Sequence, residues 1–454
     1  MGGASSTPAP VLPPDDVILE ILLRVPPEPV YLLRVSLVCK KWRRFVHDPD
    51  FLRRYRARHR HAAPLVGFFY ADGSFVPAGE QPDRVAAGHF SQLRGAGSWR
   101  ILGSRHGRVL LATTNETEFE EDGEEVRIRV SYQKEQAEEM ELLVWDPMTG
   151  RRIYFPPPRQ LMYPTHSFQS YFRSDRPEVE APCVRASLIC DHDGDGGEDC
   201  CHSRPFRVAI LFPKHGFLFA SVYSSQTGEW GALMPADGQW CVRHHWKCNS
   251  VLVGNVIYWP EDRSGCMFGY DLNTKDRSDT MFGYDPDTSR IQGVLGDGQI
   301  GIAVVKGSRL ILFAPKARSK GIPAWSEYRD LDLDGLLAPP MGSFQSPGKK
   351  RPVGFDEEGN TIFLETTDGV VALHLESLKV NKVIDAGMLR PYRNVNYNTM
   401  IPYMSFFVPG VALFSTKTDT NPHATLDVND ISGQPDYDSA RDGGANEGAA
   451  DQMM

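Results

Sequence analysis

The sequence is poor in the features that mark secreted and membrane proteins. Its 454 residues include only eight cysteines, whose irregular spacing predicts no disulfide framework. The opening stretch MGGASSTPAP lacks both the basic and the apolar segment of a secretory signal. The most apolar stretch, between Arg393 and Lys417, contains asparagines and prolines that argue against a spanning helix. We therefore expect no membrane partner and a reducing location in the cytoplasm, the nucleus or both.

Motifs for catalysis and nucleotide binding are also missing. The chain contains no G-x-S-x-G motif and no Walker loop. Its net charge of −9 argues against a broadly cationic nucleic-acid binder. One basic run, residues 40–60, could contact nucleic acid, but we interpret it as a solvated helical face beside an acidic partner. The expectation is a protein without enzymatic activity, cofactor or nucleic-acid partner.

Two clusters of potential metal ligands lack the residue spacing of known calcium and zinc motifs. Asp191, Asp193 and Asp195 follow the first half of a calcium loop, but the twelfth position is His202 instead of glutamate. The potential zinc ligands near them form no paired C-x-x-C knuckles: Cys190, His192, Cys200, Cys201 and His202. We interpret this segment as a solvated acidic loop and expect no metal site.

What the sequence has in abundance is turn residues and short apolar runs. Glycine (41) and proline (34) are frequent, which favours many short elements. Between residues 64 and 415, apolar runs lead repeatedly into turns with Asp, Ser or Asn and a Thr, as in LLVWDPMTGRRIYF (142–155). This pattern predicts a mainly β fold, a β-propeller of six or seven blades, with a pair of β-sandwiches as the structural alternative.

The two ends of the chain differ from this β region. Residues 1–11 are expected to form a flexible leader. Residues 416–454 are rich in Asp, Gly, Asn and Ala and carry eight acidic residues against Lys417 and Arg441. The few apolar residues of this segment cannot offset the conformational entropy that the chain would lose on ordering. We therefore expect a disordered acidic tail.

Residues 12–61 predict a small helical module. Prolines and aspartates divide it into helices, at Asp15-Asp16, Pro26-Pro27, Pro29 and Asp48-Pro49. A third helix is predicted from an apolar stripe through Val35, Val38, Cys39, Trp42 and Phe45. About fifty residues cannot enclose this many large apolar groups alone. The module therefore either caps the β region or offers its surface, including Leu12, Pro13 and Trp42, to a partner.

The helical module resembles the F-box. The matching elements occur in the expected order: Leu12-Pro13, Asp16, Ile21-Leu22-x-Arg24-x-Pro26, Leu33-Arg34, Val38-Cys39-Lys40-x-Trp42-Arg43 and Asp48-Pro49-x-Phe51. The PPEP run at 26–29 departs from the small polar or basic residue that usually opens the second helix. The β region is similar, less closely, to the F-box-associated propellers of plant F-box proteins of the kind abundant in grasses, as in NSVLVGNVIYW (249–259).

This resemblance implies the substrate-recognition subunit of an SCF-type ubiquitin ligase. The F-box would bind a Skp-family adaptor, and through it a cullin and a RING subunit, while the propeller would bind an unidentified protein substrate. By the same resemblance, the residues that contact or support the adaptor would be Leu12, Pro13, Ile21, Leu22, Val25, Pro26, Leu33, Val38, Cys39 and Trp42. The alternative is a propeller scaffold or ligand sensor whose helical head packs only within its own chain.

Overall fold

The computed structural model describes residues 13–406 with internal gaps. The gaps are residues 60–62, 71, 80–83, 86, 91–97, 115–118, 123–124, 129–139, 160–184, 191–203, 215–216, 237–249, 261–265, 277–279, 282–288, 296–297, 317–323, 338–349, 357–359 and 390–399. The predicted leader and acidic tail, and nearly all of the candidate metal segment, lie outside the described residues. Among the described residues, no helix has the length and apolar character needed to cross a membrane.

Four helices open the described chain, in the order that the sequence predicts. They are α1 (Asp15–Leu22), α2 (Pro29–Val38), α3 (Lys40–His47) and α4 (Pro49–Arg58). Pro29 occupies the first turn of α2, where its missing N–H costs nothing. The Asp48 carboxylate caps α4 by accepting a hydrogen bond of 3.0 Å from the Phe51 amide. The predicted starts of the second and fourth helices are therefore confirmed.

The predicted third helix was wrong at its beginning. Cys39 has an extended backbone, with φ of −161° and ψ of 167°, so the apolar stripe is divided between α2 and α3. Its sulfur accepts a hydrogen bond from the Trp42 amide at 3.4 Å and caps α3. Cys39 is half-buried at a helix junction and is not a buried residue of a helical face.

The remaining described chain is mainly β. Its first half contains β1 (Leu65–Phe69), β2 (Phe75–Pro77), α5 (Ala87–Phe90), β3 (Ser98–Arg105), β4 (Arg108–Thr114), β5 (Phe119–Asp122), β6 (Glu125–Ile128), β7 (Leu142–Trp145), β8 (Arg152–Phe155), β9 (Arg185–Cys190), β10 (Phe206–Lys214), β11 (Phe217–Ser224), β12 (Glu229–Trp230) and β13 (Met234–Ala236). Strands β5 and β6 form a separate two-stranded ribbon.

The second half has the same character. It contains β14 (Val251–Val253), β15 (Val256–Pro260), β16 (Cys266–Asp271), β17 (Thr280–Met281), β18 (Ser289–Val294), β19 (Ile300–Lys306), β20 (Arg309–Lys316), β21 (Ala324–Asp332), α6 (Leu333–Leu336), β22 (Arg351–Asp356), β23 (Thr361–Thr366), β24 (Gly369–His374), β25 (Val380–Asp385), α7 (Ala386–Leu389) and β26 (Ile401–Met404).

All of these strands except β5 and β6 form the six antiparallel blades of a β-propeller. Blade 1 is β26-β1-β2, blade 2 is β3-β4-β7-β8, and blade 3 is β9 to β12 with β13 beside β11. Blades 4, 5 and 6 are β14 to β17, β18 to β21 and β22 to β25. Neighbouring blades touch through their first strands, for example β18 with β22, and β26 contacts both β22 and β3. The propeller prediction is confirmed, and six is the blade number.

The two ends of the β region close the ring in blade 1. Strand β26 pairs with β1, so that Gly67 lies opposite Tyr403. A Cβ atom at Gly67 would lie 2.4 Å from the Phe75 ring, which explains the glycine there. The buried Tyr403 hydroxyl donates a hydrogen bond of 3.1 Å to the Gly107 carbonyl, which ties the last strand to blade 2. The pKa of this hydroxyl is raised, and burial is the largest cause.

Four hairpin turns share one backbone hydrogen bond, from the amide of the fifth residue to the carbonyl of the first. Three of them carry the predicted Asp or Ser followed by Thr, and the fourth begins at His374. In the turn from Asp271 to Lys275, the Asp271 carboxylate accepts from the amides of Asn273 and Thr274 at 2.8 and 3.0 Å. The amide hydrogen bonds lower the pKa of the Asp271 carboxyl, and the bond from Thr274 has the largest effect. The fifth residue of each turn has a left-handed backbone: Gly150, Gly228, Lys275 and Leu378.

The fifth turn position predicts opposite effects of two substitutions. Lys275→Gly should stabilise the protein by about 0.5–1 kcal/mol, because a left-handed non-glycine residue costs more than the entropy that glycine adds to the unfolded chain. Gly228→Ala should destabilise it by about 1 kcal/mol. Urea unfolding followed by tryptophan fluorescence measures both effects. A lower midpoint for Lys275→Gly would contradict this explanation of the turn.

Candidate functional site

The helical head and the propeller share one hydrophobic cluster. From the helices, the buried members are Ile18, Leu22, Leu23, Leu32, Val46, Phe51, Leu52 and Tyr55. From the propeller, they include Val66, Phe69, Phe75, Val109, Trp145, Ile401 and Tyr403. The head therefore buries its large apolar side chains with those of blades 1 and 2, which is what a module of its size requires.

Tyr55 and His59 fasten the end of α4 to the segment after α1. The Tyr55 hydroxyl donates to the Pro26 carbonyl at 2.6 Å and lies 3.0 Å from the Val25 carbonyl. The His59 Nε2 lies 3.0 Å from the Leu23 carbonyl, and its ring lies 4.6 Å from that of Tyr55. Burial, and then the charge of Glu28, raise the pKa of Tyr55 well above its usual value.

Despite this shared core, the described part of the head presents four large aliphatic side chains to solvent. Val17 is 43% exposed and Ile21 54% exposed, and their spacing places them on one face of α1. Leu37 is 66% exposed and Val38 61% exposed, at the end of α2. We call these four residues the exposed ridge. The propeller leaves the ridge uncovered, although it covers Ile18 and Leu22 on the same helix.

Charged side chains hold the two parts of the exposed ridge near each other. Lys41, in the first turn of α3, forms an ion pair with Asp15, in the first turn of α1. Because only Cys39 separates Val38 from α3, this pair places the start of α1 beside the end of α2. The Arg43 Nε donates to the Ser36 carbonyl at 3.2 Å and supports the same junction. Lys40 and Arg44 are exposed at the α2–α3 end of the ridge, whereas Asp15 and Asp16 are exposed beside Val17, so the ridge has basic surroundings at one end and acidic surroundings at the other.

The structure separates the sequence-predicted site residues into exposed and packed groups. The exposed ones are Pro13, Ile21, Pro26 and Val38. Leu22 is buried, and four others are half-buried, namely Val25, Leu33, Cys39 and Trp42. Leu12 lies outside the described residues. Trp42 packs against the shared cluster and its indole N–H is buried, so it does not stand out as an exposed anchor.

Val17 and Leu37 are the ridge residues that the sequence prediction missed. Their exposure could not be read from helical spacing, which gives the apolar faces of a helix but not the neighbours that cover them. Among the described residues, no group of three or more His, Cys, Asp or Glu residues is placed to hold a metal ion. The candidate site is therefore an apolar surface with charged surroundings of both signs, suited to a protein partner.

Comparison with known proteins identifies the helical head. Residues 14–54 match the model of the F-box domain. The helical head is thus similar to an F-box domain over α1 to α3 and the first part of α4, and we refer to it by that name. A curated relative, an F-box protein of Arabidopsis thaliana, is 25% identical over 280 residues, which is 58% of this chain and 56% of the relative. The match thus spans little more than half of that relative's length. Together these matches support a plant-type F-box protein.

Solved structures similar to this chain share little sequence with it. Virginiamycin B lyase from Staphylococcus aureus is 10% identical, with a TM-score of 0.28 over 71% of this chain and 77% of its own. The WD40 domain of SCAP from fission yeast is 10% identical, with a TM-score of 0.31 over 64% of this chain and 54% of its own. TM-scores this low support no argument about the fold or the function of this chain.

The hydroxyl of Tyr55 provides a test of how the F-box domain is held together. Tyr55→Phe should lower the free energy of unfolding by about 1–3 kcal/mol, because the partly buried Pro26 carbonyl loses its donor. Tyr31→Phe is the matched control, since Tyr31 is an exposed tyrosine of α2, and it should change stability by less than about 0.5 kcal/mol. Urea unfolding compares the two variants. Equal stability of both would contradict a fastening role for Tyr55.

Proposed function

We propose that this protein is the substrate-recognition subunit of an SCF-type ubiquitin ligase. The observation that carries the proposal is an F-box domain whose apolar ridge stays uncovered while the rest of its core is shared with a β-propeller. In the proposed complex the F-box binds a Skp-family adaptor, which connects it to a cullin and a RING subunit. The propeller binds the protein to be ubiquitinated. The complex acts in the cytoplasm, the nucleus or both.

In this function the chain contributes proximity and performs no chemistry. A receptor that holds a target beside the ubiquitin-carrying enzyme converts a bimolecular transfer into an effectively intramolecular one. The gain is greatest when the connection between the two binding sites is stiff. The cluster shared by the F-box domain and blades 1 and 2 supports such a connection, since the two sites do not depend on a long linker.

The adaptor surface is proposed to centre on Ile21, Leu37 and Val38, with Val17 beside them. Their exposure means that a partner could bury them without disturbing the shared cluster. Leu22, Val25, Leu33 and Trp42 then support this surface from below, because they pack against that cluster. The basic residues at the α2–α3 end of the ridge favour an acidic partner surface there.

The alternative function is a propeller scaffold whose helical head packs only within its own chain. The shared cluster fits that description for the buried side of the head. The exposed ridge favours the ligase function instead, because a head that served only as a cap would gain stability by covering its apolar residues.

Substitution of the ridge tests the adaptor interface. In Leu37→Asp and Ile21→Asp, recovery of a purified Skp-family adaptor with the full chain should fall at least about tenfold, since each places a charge in an apolar contact. Both positions are exposed, so the free energy of unfolding should change by less than about 0.5 kcal/mol. Affinity capture with quantified adaptor, together with thermal unfolding of each variant, measures both quantities.

The matched control is Tyr154→Asp, which changes an exposed aromatic residue on blade 2. This variant should recover the adaptor as the unchanged protein does. Failure of the unchanged, folded protein to bind any Skp-family adaptor would overturn the proposed function. Equal recovery by the ridge variants and by the control would exclude the ridge as the interface.

A further inference from the structure

The third helix of the head carries positive charge along one side. Lys40, Arg43 and Arg44 are three and four positions apart, so they lie on the same side of α3, and all three are exposed. Trp42 and Phe45 lie on the other side of α3 and pack against the shared cluster. We call Lys40, Arg43 and Arg44 the cationic face. Because it faces away from the shared cluster, a partner can reach it.

Two members of the cationic face lack a counter-charge among the described residues. The side chains of Lys40 and Arg44 form no ion pair or hydrogen bond with that part of the chain. The acidic residues nearest to them are engaged elsewhere, since Asp48 caps α4 and the carboxylates of Asp50 and Asp15 each pair with another cation. The positive charge of Lys40 and Arg44 is therefore available to a partner.

The charge of the head is opposite to that of the remaining chain. Its described helices, residues 13–58, contain ten lysines and arginines against six acidic residues, which gives a net charge of +4. Since the whole chain has a net charge of −9, all other residues together carry −13. Arg54 and Arg58, exposed one turn apart on α4, add to the positive field of the head. An acidic protein surface is therefore attracted to the head and repelled by the rest of the molecule, which orients its approach.

The same charge asymmetry argues against nucleic acid as the occupant of the cationic face. A DNA duplex is an extended polyanion, with one negative charge per about 1.7 Å of its axis. Such a polymer would also approach the remaining chain, whose net negative charge repels it. An acidic patch on a folded protein can contact the cationic face alone.

The cationic face adjoins the exposed ridge. Only Cys39 separates Val38, at the end of the ridge on α2, from Lys40. The Arg43 Nε donates a hydrogen bond of 3.2 Å to the Ser36 carbonyl, which fixes the cationic face to the end of α2. A partner that covers this end of the ridge therefore comes close to the cationic face.

We propose that the cationic face steers an acidic surface of the adaptor onto the exposed ridge. The proposal rests on the proposed function, because it takes the adaptor to be the partner that covers the ridge. The two surfaces then have different kinetic roles. Long-range attraction to the cationic face raises the association rate, whereas burial of the apolar ridge slows dissociation.

Stopped-flow mixing of the full chain with a purified Skp-family adaptor measures both rates. The association rate should fall at least about tenfold between about 0.05 M and about 0.5 M salt, because salt screens the charges. At the lower salt concentration, Lys40→Glu/Arg44→Glu should associate about tenfold more slowly and dissociate within about twofold of the unchanged rate. Leu37→Ala should show the reverse, with dissociation about tenfold faster and association within about twofold.

Lys306→Glu/Lys316→Glu is the control for net charge, because it reverses two exposed lysines of blade 5 and changes the charge of the chain by the same amount. It should associate within about twofold of the unchanged rate. Thermal unfolding of each variant verifies that the fold is intact, since all four reversed positions are exposed.

Adaptor binding whose association rate does not depend on salt overturns this inference and leaves the proposed function standing. So does an equal loss of association rate in the cationic-face and blade 5 variants. A DNA duplex that binds the full chain at about 0.15 M salt, and that Lys40→Glu/Arg44→Glu releases, would assign the cationic face to nucleic acid and also overturn the inference. Absence of adaptor binding at every salt concentration overturns the proposed function and this inference together.

Discussion

The structure depends on one constraint: the helical head is too small to bury its own apolar side chains. It solves this by placing Phe51, Leu52 and Tyr55 in a cluster with side chains of blades 1 and 2. The same cluster contains Tyr403, on the strand that closes the propeller ring. The stability of the head, the closure of the ring and the position of the exposed ridge therefore depend on the same packing.

The proposed function of the head depends on the division between its buried and exposed faces. On α1, Ile18 and Leu22 face the shared cluster, whereas Val17 and Ile21 face solvent. A helix that is apolar on two sides is typical of one that lies between two partners. One partner is the propeller of the same chain, and in the proposed complex the other is the adaptor.

Much of the fold could be predicted from local chemistry, because caps and turns are made by nearby residues. Pro29, Asp48 and the Asp271 turn behave as their residue types predict. The break at Cys39 could not be predicted, since the apolar spacing continues through it. The exposure of Leu37 depends on packing between distant segments, which sequence spacing does not contain.

The most direct test of the central claim is hydrogen exchange of the full chain with and without a saturating Skp-family adaptor. The account predicts that the adaptor slows exchange in α1 and around the α2–α3 junction, where Ile21, Leu37 and Val38 lie, and leaves α4 and the blades unchanged. Protection confined to the blades, or protection nowhere despite demonstrated binding, would contradict it.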